Sequence, residues 1–159
     1  MLDDNLVDEP FSSRFVIFIE KDGGELVAGA RDALEAGLGF AVAFGKAGVF
    51  IGRDALLRQR EAGLKRRLAT FALDDPQRML YHNEPIWRDG RLVGRTTSGM
   101  FGHTIGSSVA FGYVEDGDRL VDQEFLRSGS FEIEVAGERI PARCTLGALY
   151  DPKSERIRS

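Results

Sequence analysis

The chain has 159 residues, of which 43% are hydrophobic and 29% are charged, a balance typical of a soluble globular protein that buries a core without disulfides or metals. Its net charge of -4 gives no general attraction to the phosphates of nucleic acids or anionic membranes, so we expect neither as a partner. Cys144 is the single cysteine, and the acidic N-terminus is unlike a targeting peptide, so we expect a cytoplasmic protein.

The N-terminal part mixes strand and helix signals. Residues 14–20 are almost continuously apolar and predict a strand, which ends at a turn over residues 22–24. Residues 25–39 are rich in alanine and leucine and predict a short helix, although three glycines interrupt it. Residues 40–44 predict a second short strand. The apolar run over residues 34–44 is too short to span a bilayer.

A helix over residues 53–62 is the clearest element before the C-terminal half. It contains good helix formers, Asp54 suits its positive N-terminal end, and Gly63 follows as a stop signal. The basic cluster Lys65-Arg66-Arg67 comes next. We interpret this cluster as a solvated helix end that complements the helix dipole, with a dedicated anion site as the alternative.

Beyond residue 66 the hydrophobic period changes to two, which predicts strands. They cover residues 68–73, 85–88, 91–94, 107–114, 120–126, 131–135 and 139–146. Asp89-Gly90 predicts a two-residue hairpin loop, and Gly137-Glu138 predicts another tight turn. Short antiparallel strands at this spacing predict a mainly β fold with minor α content, a barrel or sandwich preceded by a short strand and helix segment.

The residue clusters that catalysis requires are incomplete. His82 and His103 lack the partner spacing of a metal site. Ser98 or Cys144 could be combined with either histidine in a hydrolase, but neither nucleophile lies in a known activating motif. We therefore assign no catalytic residue and no metal ligand.

Two features leave a structural and a ligand-binding interpretation open. Residues 96–106 crowd glycines and hydroxyls together, which favours a bulged loop joining two strands over a ligand contact. Trp87 has a flat apolar face that suits stacking on a planar ligand, although packing in a core is the commoner role.

Several short motifs occur in order along residues 34–158. They include Phe50-Ile51-Gly52-Arg53-Asp54, Asn83-Glu84-Pro85-Ile86-Trp87, Gly102-His103, Ala110-Phe111-Gly112-Tyr113-Val114 and Tyr150-Asp151-Pro152. The series resembles the aminomethyltransferase family, the glycine-cleavage T-proteins. The tail from residue 125 onward looks more like the C-terminal part of sarcosine and dimethylglycine dehydrogenases.

The resemblance implies a division of the chain. Residues 66–159 would form the C-terminal six-stranded antiparallel β-barrel of that family, and residues 34–65 a remnant of the middle lobe with its helix at residues 53–62. Residues 1–33 match no known part. The lobe that carries the family's catalytic aspartate has no counterpart here, nor does any flavin domain.

The resemblance also implies cofactors, partners and a function. Tetrahydrofolate is the implied cofactor, with Arg156 and Trp87 as its contacts, while FAD would belong to a separate domain or partner. The expected function is the C-terminal barrel portion of an aminomethyltransferase or of a sarcosine or dimethylglycine dehydrogenase-like one-carbon-transfer enzyme, without catalysis alone. The alternative is a non-catalytic β-barrel binding or subunit-docking module. Its partner would be a polypeptide that carries the flavin and folate lobes, or a second copy of the chain.

Overall fold

The structure is a computed structural model that describes residues 21–22, 25–26, 33–45, 50–156 and 158. The strand predicted at residues 14–20 lies outside the described residues. Strands β1 (Lys21–Asp22) and β2 (Glu25–Leu26) pair as a short antiparallel hairpin.

Two predictions for the segment before the barrel were wrong. Residues 25–39 do not form one helix, because Glu25–Leu26 is a strand and residues 33–37 form turns, while residues 27–32 lie outside the described residues. Gly37 has a φ of 76°, a left-handed conformation that ends helical geometry. The strand predicted at residues 40–44 is also wrong, since Gly39–Ala41 is a 3-10 turn and Phe40 is 86% exposed.

The predicted helix α1 (Arg53–Ala62) is confirmed with both of its ends. Gly52 precedes it with a φ of 87°, and Gly63 follows it with a φ of 80°. Side chains are strained at such angles, so the two glycines define the helix ends. Leu56 is the buried residue of this helix.

Six strands form a closed barrel, which confirms the architecture that the family resemblance implies. They are β3 (Arg66–Leu73), β4 (Pro85–Arg88), β5 (Arg91–Gly102), β6 (Ser107–Glu115), β7 (Phe131–Val135) and β8 (Glu138–Thr145). The order around the barrel is β3-β6-β5-β4-β7-β8, and β8 closes on β3. Every neighbouring pair is antiparallel.

Alternate residues of these strands fill the barrel interior. Phe71 is fully buried, and its ring meets that of Phe131 edge-on at 5.8 Å. The loop between β3 and β4 adds Leu80, which is also fully buried. Gly99 makes room for it, because a Cβ there would lie 2.6 Å from the Leu80 carbonyl carbon. The loop is fixed by Ser108, whose buried hydroxyl donates a 2.6 Å hydrogen bond to the Arg78 carbonyl.

The strand predicted at residues 120–126 was wrong, because helix α2 (Gln123–Arg127) occupies this segment. The Asp122 side chain accepts a 2.8 Å hydrogen bond from the Phe125 N–H and so caps the helix. Val121, just before the cap, and Phe125 and Leu126 within the helix are buried in the core.

The turns and the glycine-rich stretch need smaller corrections. The Asp89-Gly90 hairpin loop is confirmed, with positive φ at both residues. The next tight turn is centred on Ala136 and Gly137, since Glu138 already belongs to β8. Residues 96–106 are not one bulged loop: β5 runs to Gly102, and its register shift lies between Thr96 and Ser98.

Arg88 is a buried charge that joins β4 to α2 at one end of the barrel. Its Nε and Nη2 donate hydrogen bonds of 3.3 and 3.0 Å to the Phe125 carbonyl, and Nη2 also donates to the Ser128 hydroxyl. Nη1 pairs with Asp89 at 2.8 Å. The guanidinium lies 4.3 Å from the centroid of the Phe125 ring, and a Cβ at Gly129 would lie 2.4 Å from its Cζ.

We expect Arg88→Met to lower the free energy of unfolding by about 2 to 4 kcal/mol, because it removes both guanidinium donors of the Phe125 carbonyl and leaves it only the 3.4 Å bond from the Ser128 hydroxyl. Gly129→Ala should cost about 1 to 3 kcal/mol, since the hydrogen bonds prevent the guanidinium from moving aside. Urea denaturation measures both changes.

The matched control for this prediction is Arg58→Met on the exposed face of α1, which should change the free energy by less than about 0.5 kcal/mol. The double variant Arg88→Met/Gly129→Ala should lose less free energy of unfolding than the two single variants lose together. The reason is that a Cβ at position 129 no longer clashes once the guanidinium is gone. Equal stability of Arg88→Met and wild type would contradict this interpretation of the barrel end.

Candidate functional site

The side chains on the outer face of β3, β6 and β5 form rows across the three strands. One row consists of Leu68, Tyr113 and Arg95, which are paired in the backbone register. The next row consists of Thr70, Phe111 and Ser98. These residues alternate with the buried ones, so they point away from the core.

An apolar groove covers the second row. Its volume is ≈ 640 Å³, and residues 146–150 of the tail form one of its walls. The strand residues that line it include Leu68, Thr70, Ser98, Met100, Val109 and Phe111. Met100 is 70% exposed and Phe111 is 49% exposed. A contiguous exposed apolar surface of this kind is typical of a ligand or protein contact site.

The Tyr-Asp-Pro motif of the tail places Arg156 beside this groove. The Asp151 carboxylate accepts hydrogen bonds of 2.8 and 3.1 Å from the N–H groups of Glu155 and Arg156. The tail therefore turns back, and the Arg156 guanidinium donates to the Tyr150 hydroxyl. Its Cζ also lies 5.3 Å from the centroid of the Tyr150 ring, and Tyr150 lines the groove.

Trp87 lies elsewhere on the barrel. It is half-buried on β4, where its Nε1 donates a 3.0 Å hydrogen bond to Glu134. The Arg139 guanidinium lies 3.7 Å from the ring centroid and covers one face. Trp87 is not among the residues that line the apolar groove beside Arg156, so the structure does not bring the two side chains together in that site. Their assignment as folate contacts stays a prediction.

A second cavity, of ≈ 700 Å³, lies on the same outer face beside the first row. The segment over residues 81–84 forms part of its rim, and Glu84 holds this segment in place. The Glu84 carboxylate accepts a 2.8 Å hydrogen bond from the Tyr81 N–H and another from the Thr96 hydroxyl. The Thr96 hydroxyl in turn accepts a 2.9 Å bond from the Glu84 N–H.

These contacts shift the pKa of Glu84. Burial raises its pKa, but the hydrogen bonds from the Thr96 hydroxyl and from nearby backbone N–H groups outweigh burial and hold it below the ordinary 4.5. A carboxyl with a lower pKa in the folded state stabilises the fold above its unfolded pKa. That contribution disappears as the pH falls through the folded-state pKa.

We predict that Glu84→Gln lowers the free energy of unfolding relative to wild type at pH 7, and that the difference shrinks as the pH falls below 4.5. Urea denaturation of both proteins between pH 3 and pH 7 measures it. Glu61→Gln, which changes an exposed carboxylate on α1 away from the N-terminal turn of the helix, serves as the control for the change in charge. A difference between wild type and Glu84→Gln that is constant with pH would contradict the role of the Glu84 charge.

The nucleophiles considered from the sequence do not form a catalytic group. Burial raises the pKa of the Cys144 thiol to about 12, and this side chain packs against the core. Ser98 lines the apolar groove, whereas His82 lines the second cavity. His103 stacks edge-on against Phe101 at 5.2 Å. In the described ranges, no hydrogen bond joins either histidine to Ser98 or Cys144.

The described part of the chain contains no group of three histidine, cysteine, aspartate or glutamate side chains arranged to hold a metal ion. Nor does it contain a helix with the length and apolarity needed to cross a membrane.

Because Cys144 is the single cysteine, its reactivity can be measured without interference. We predict that iodoacetamide at pH 8 alkylates the folded protein at least about a hundredfold more slowly than the urea-unfolded chain, since the folded thiol is almost entirely protonated. Mass spectrometry of quenched samples follows the reaction. Comparable alkylation rates in the two states would contradict this prediction and would indicate a reactive Cys144 thiolate in the folded protein.

The sequence missed most of the residues that form these cavities. Met100 and Phe111 lie in segments interpreted as loop and strand, and their exposure follows from the register between β5 and β6. One signal in the sequence could have indicated an apolar outer face. Val109 and Phe111 are both apolar, and they lie on the face opposite the buried Ala110.

Comparisons with known proteins identify the class of this fold. The family model of the glycine cleavage T-protein C-terminal barrel domain matches residues 66–151. The crystal structure of glycine cleavage system aminomethyltransferase T from Bartonella henselae shares the fold, with a TM-score of 0.54 and 24% identity over 74% of this chain and 31% of that chain. The chain belongs to the family of the glycine cleavage T-protein C-terminal barrel domain, which confirms the resemblance seen in its motifs.

Two curated relatives extend this result. The chain is 38% identical over 127 residues to 4-methylaminobutanoate oxidase (formaldehyde-forming) of Paenarthrobacter nicotinovorans. The matched region covers 80% of this chain and 15% of that protein. It is 37% identical over 126 residues to mitochondrial sarcosine dehydrogenase of Homo sapiens, covering 79% of this chain and 14% of that protein. The chain thus spans about a seventh of the length of these relatives.

Proposed function

We propose that this protein acts as the C-terminal barrel part of a folate-dependent one-carbon-transfer unit, of the kind found in aminomethyltransferases and in sarcosine or dimethylglycine dehydrogenase-like enzymes. The observation that carries the proposal is the family match over residues 66–151. The barrel does not catalyse the transfer by itself in this proposal. FAD, where the complete system uses it, is held by another domain or polypeptide.

The apolar groove fits one part of a folate. Its volume of ≈ 640 Å³ lies within the range of small-molecule sites. Aliphatic and aromatic side chains line it, which suits the flat body of a folate, and Arg156 lies beside Tyr150 at its edge. An arginine is well suited to bind the carboxylate of the folate's glutamate.

Folate, when bound, supplies the nitrogen that accepts the one-carbon unit. The residues of this chain contribute to binding and orientation. Met100, Phe111 and Tyr150 exclude water from one side of the ligand, and Arg156 binds its anionic end. Trp87, which does not line the groove, is a weaker candidate because Arg139 already covers one face of its ring.

The exposed rim of the groove supports a proposal about the partner. Met100 and Phe111 present apolar surface to solvent in the described structure, and the relatives are several times longer than the chain. We propose that the polypeptide carrying the folate lobe covers this rim. The alternative, a subunit-docking module without folate, uses the same surface. The single cysteine, Cys144, suits a reducing compartment, and we propose the cytoplasm.

Calorimetric titration with tetrahydrofolate tests the proposal. We expect weak binding by the chain and about tenfold weaker binding by Arg156→Gln, because a charge-assisted contact is lost. Lys153→Gln, which removes an exposed positive charge from the same tail, is the matched control and should bind as wild type does.

An activity assay completes this test. With tetrahydrofolate, sarcosine and FAD present, the chain alone should form no methylene-tetrahydrofolate. Turnover by the chain alone would overturn the proposal that it lacks catalysis. If Arg156→Gln bound folate as tightly as wild type, the assignment of Arg156 would fail, and an absence of folate binding would favour the docking module.

A further inference from the structure

The second cavity on the outer face has the composition of an anion site. We call it the arginine cavity, and it is lined by Arg66, His82, Asn83, Arg95, Tyr113 and Glu115 together with other residues of β5. Its volume is ≈ 700 Å³. None of its lining residues lines the apolar groove, so the two are separate sites on one face.

Both arginines of this cavity lack a carboxylate partner among the described residues. Three other arginines of the barrel are paired with carboxylates: Arg78 with Glu138, Arg91 with Asp116, and Arg143 with Asp74. No such ion pair involves Arg66 or Arg95 in the described part of the chain. Two guanidinium groups without a carboxylate partner therefore line one cavity, on a chain whose net charge is -4.

Tyr113 is a neighbour of both arginines at the cavity. The Arg66 guanidinium lies 4.8 Å from the centroid of the Tyr113 ring, a cation–π distance. Arg95 is the direct backbone partner of Tyr113 across β5 and β6. Nη1 of Arg95 donates a 3.1 Å hydrogen bond to the Asn83 carbonyl. One donor of the guanidinium is therefore fixed by the fold, which limits its freedom before any ligand binds.

The charges at the cavity favour an anion with planar oxygen pairs. Glu115 is the single acidic residue in its lining, and it opposes Arg66 in the backbone register without an ion pair in the described structure. Two positive groups thus face one negative group. Guanidinium groups match the geometry of carboxylates and bind them through two parallel hydrogen bonds.

We propose that the arginine cavity binds a small organic dicarboxylate, with Arg66 and Arg95 each holding one carboxylate and the Tyr113 ring forming the wall between them. This site is independent of the folate proposal, which depends on the tail and on the apolar groove. Since the cavity is open at the protein surface, binding of a simple dicarboxylate is expected in the millimolar range.

Titration of the full chain with glutarate, followed by NMR, tests the site. We expect Arg66→Gln and Arg95→Gln each to weaken binding about tenfold or more, because each removes a charge-assisted contact. Glu115→Gln should tighten binding, because it removes the opposing charge. Neutral glutaramide should not bind, and inorganic phosphate should bind less tightly than glutarate.

Matched controls separate a site from a general effect of charge. Arg58→Gln and Glu61→Gln make the same two charge changes at exposed positions of α1 and should leave glutarate binding unchanged. Arg156→Gln should also leave it unchanged, which distinguishes this site from the folate site. Circular dichroism of each variant verifies that it is folded.

Three results would overturn the proposal. One is a wild-type chain that does not bind glutarate at about 10 mM, the upper end of the expected range. Another is an equal loss of affinity in Arg95→Gln and in the control Arg58→Gln. Tighter binding of phosphate than of glutarate would overturn the assignment of the ligand as a dicarboxylate.

Discussion

The hydrogen bonds of the buried Arg88 guanidinium join β4 to α2 and close one end of the barrel. Arg88 is 5% exposed and lies between the rings of Phe125 and Phe131, where an unsatisfied charge would be costly. Its donors are satisfied by the Phe125 carbonyl, the Ser128 hydroxyl and Asp89. The five residues of α2 are too few for a stable isolated helix, so Arg88 and the buried Phe125 keep this helix across the barrel end.

The strands of the barrel could be predicted because their signals are local. Alternation and the Asp89-Gly90 turn are visible within a few residues, and the structure confirms them. The strand prediction for residues 120–126 was wrong because α2, with five residues, is shorter than the window in which a helical period can be recognised. The segment over residues 40–44 has the composition of a strand, but it pairs with no sheet, and a strand requires a partner as well as a composition.

The two cavities were harder to predict than the strands. Leu68, Tyr113 and Arg95 form one row, yet they lie far apart in the chain, and only the register of three strands brings them together. Arg66 was interpreted with its neighbours as a solvated helix end, whereas it belongs to β3 and lies over Tyr113. By contrast, the Tyr-Asp-Pro motif is local, and the structure shows the turn that it forms around Asp151.

Closure of the barrel has a consequence for association. Each of its six strands has a hydrogen-bonded neighbour on both sides, so a partner cannot extend this sheet by adding a strand. Recognition must therefore depend on side chains of the outer faces and on the tail. Outward-facing residues such as Met100 and Phe111 can then change without disturbing the backbone pairing beneath them. A closed scaffold of this kind lets binding preferences diverge between relatives while the fold is retained.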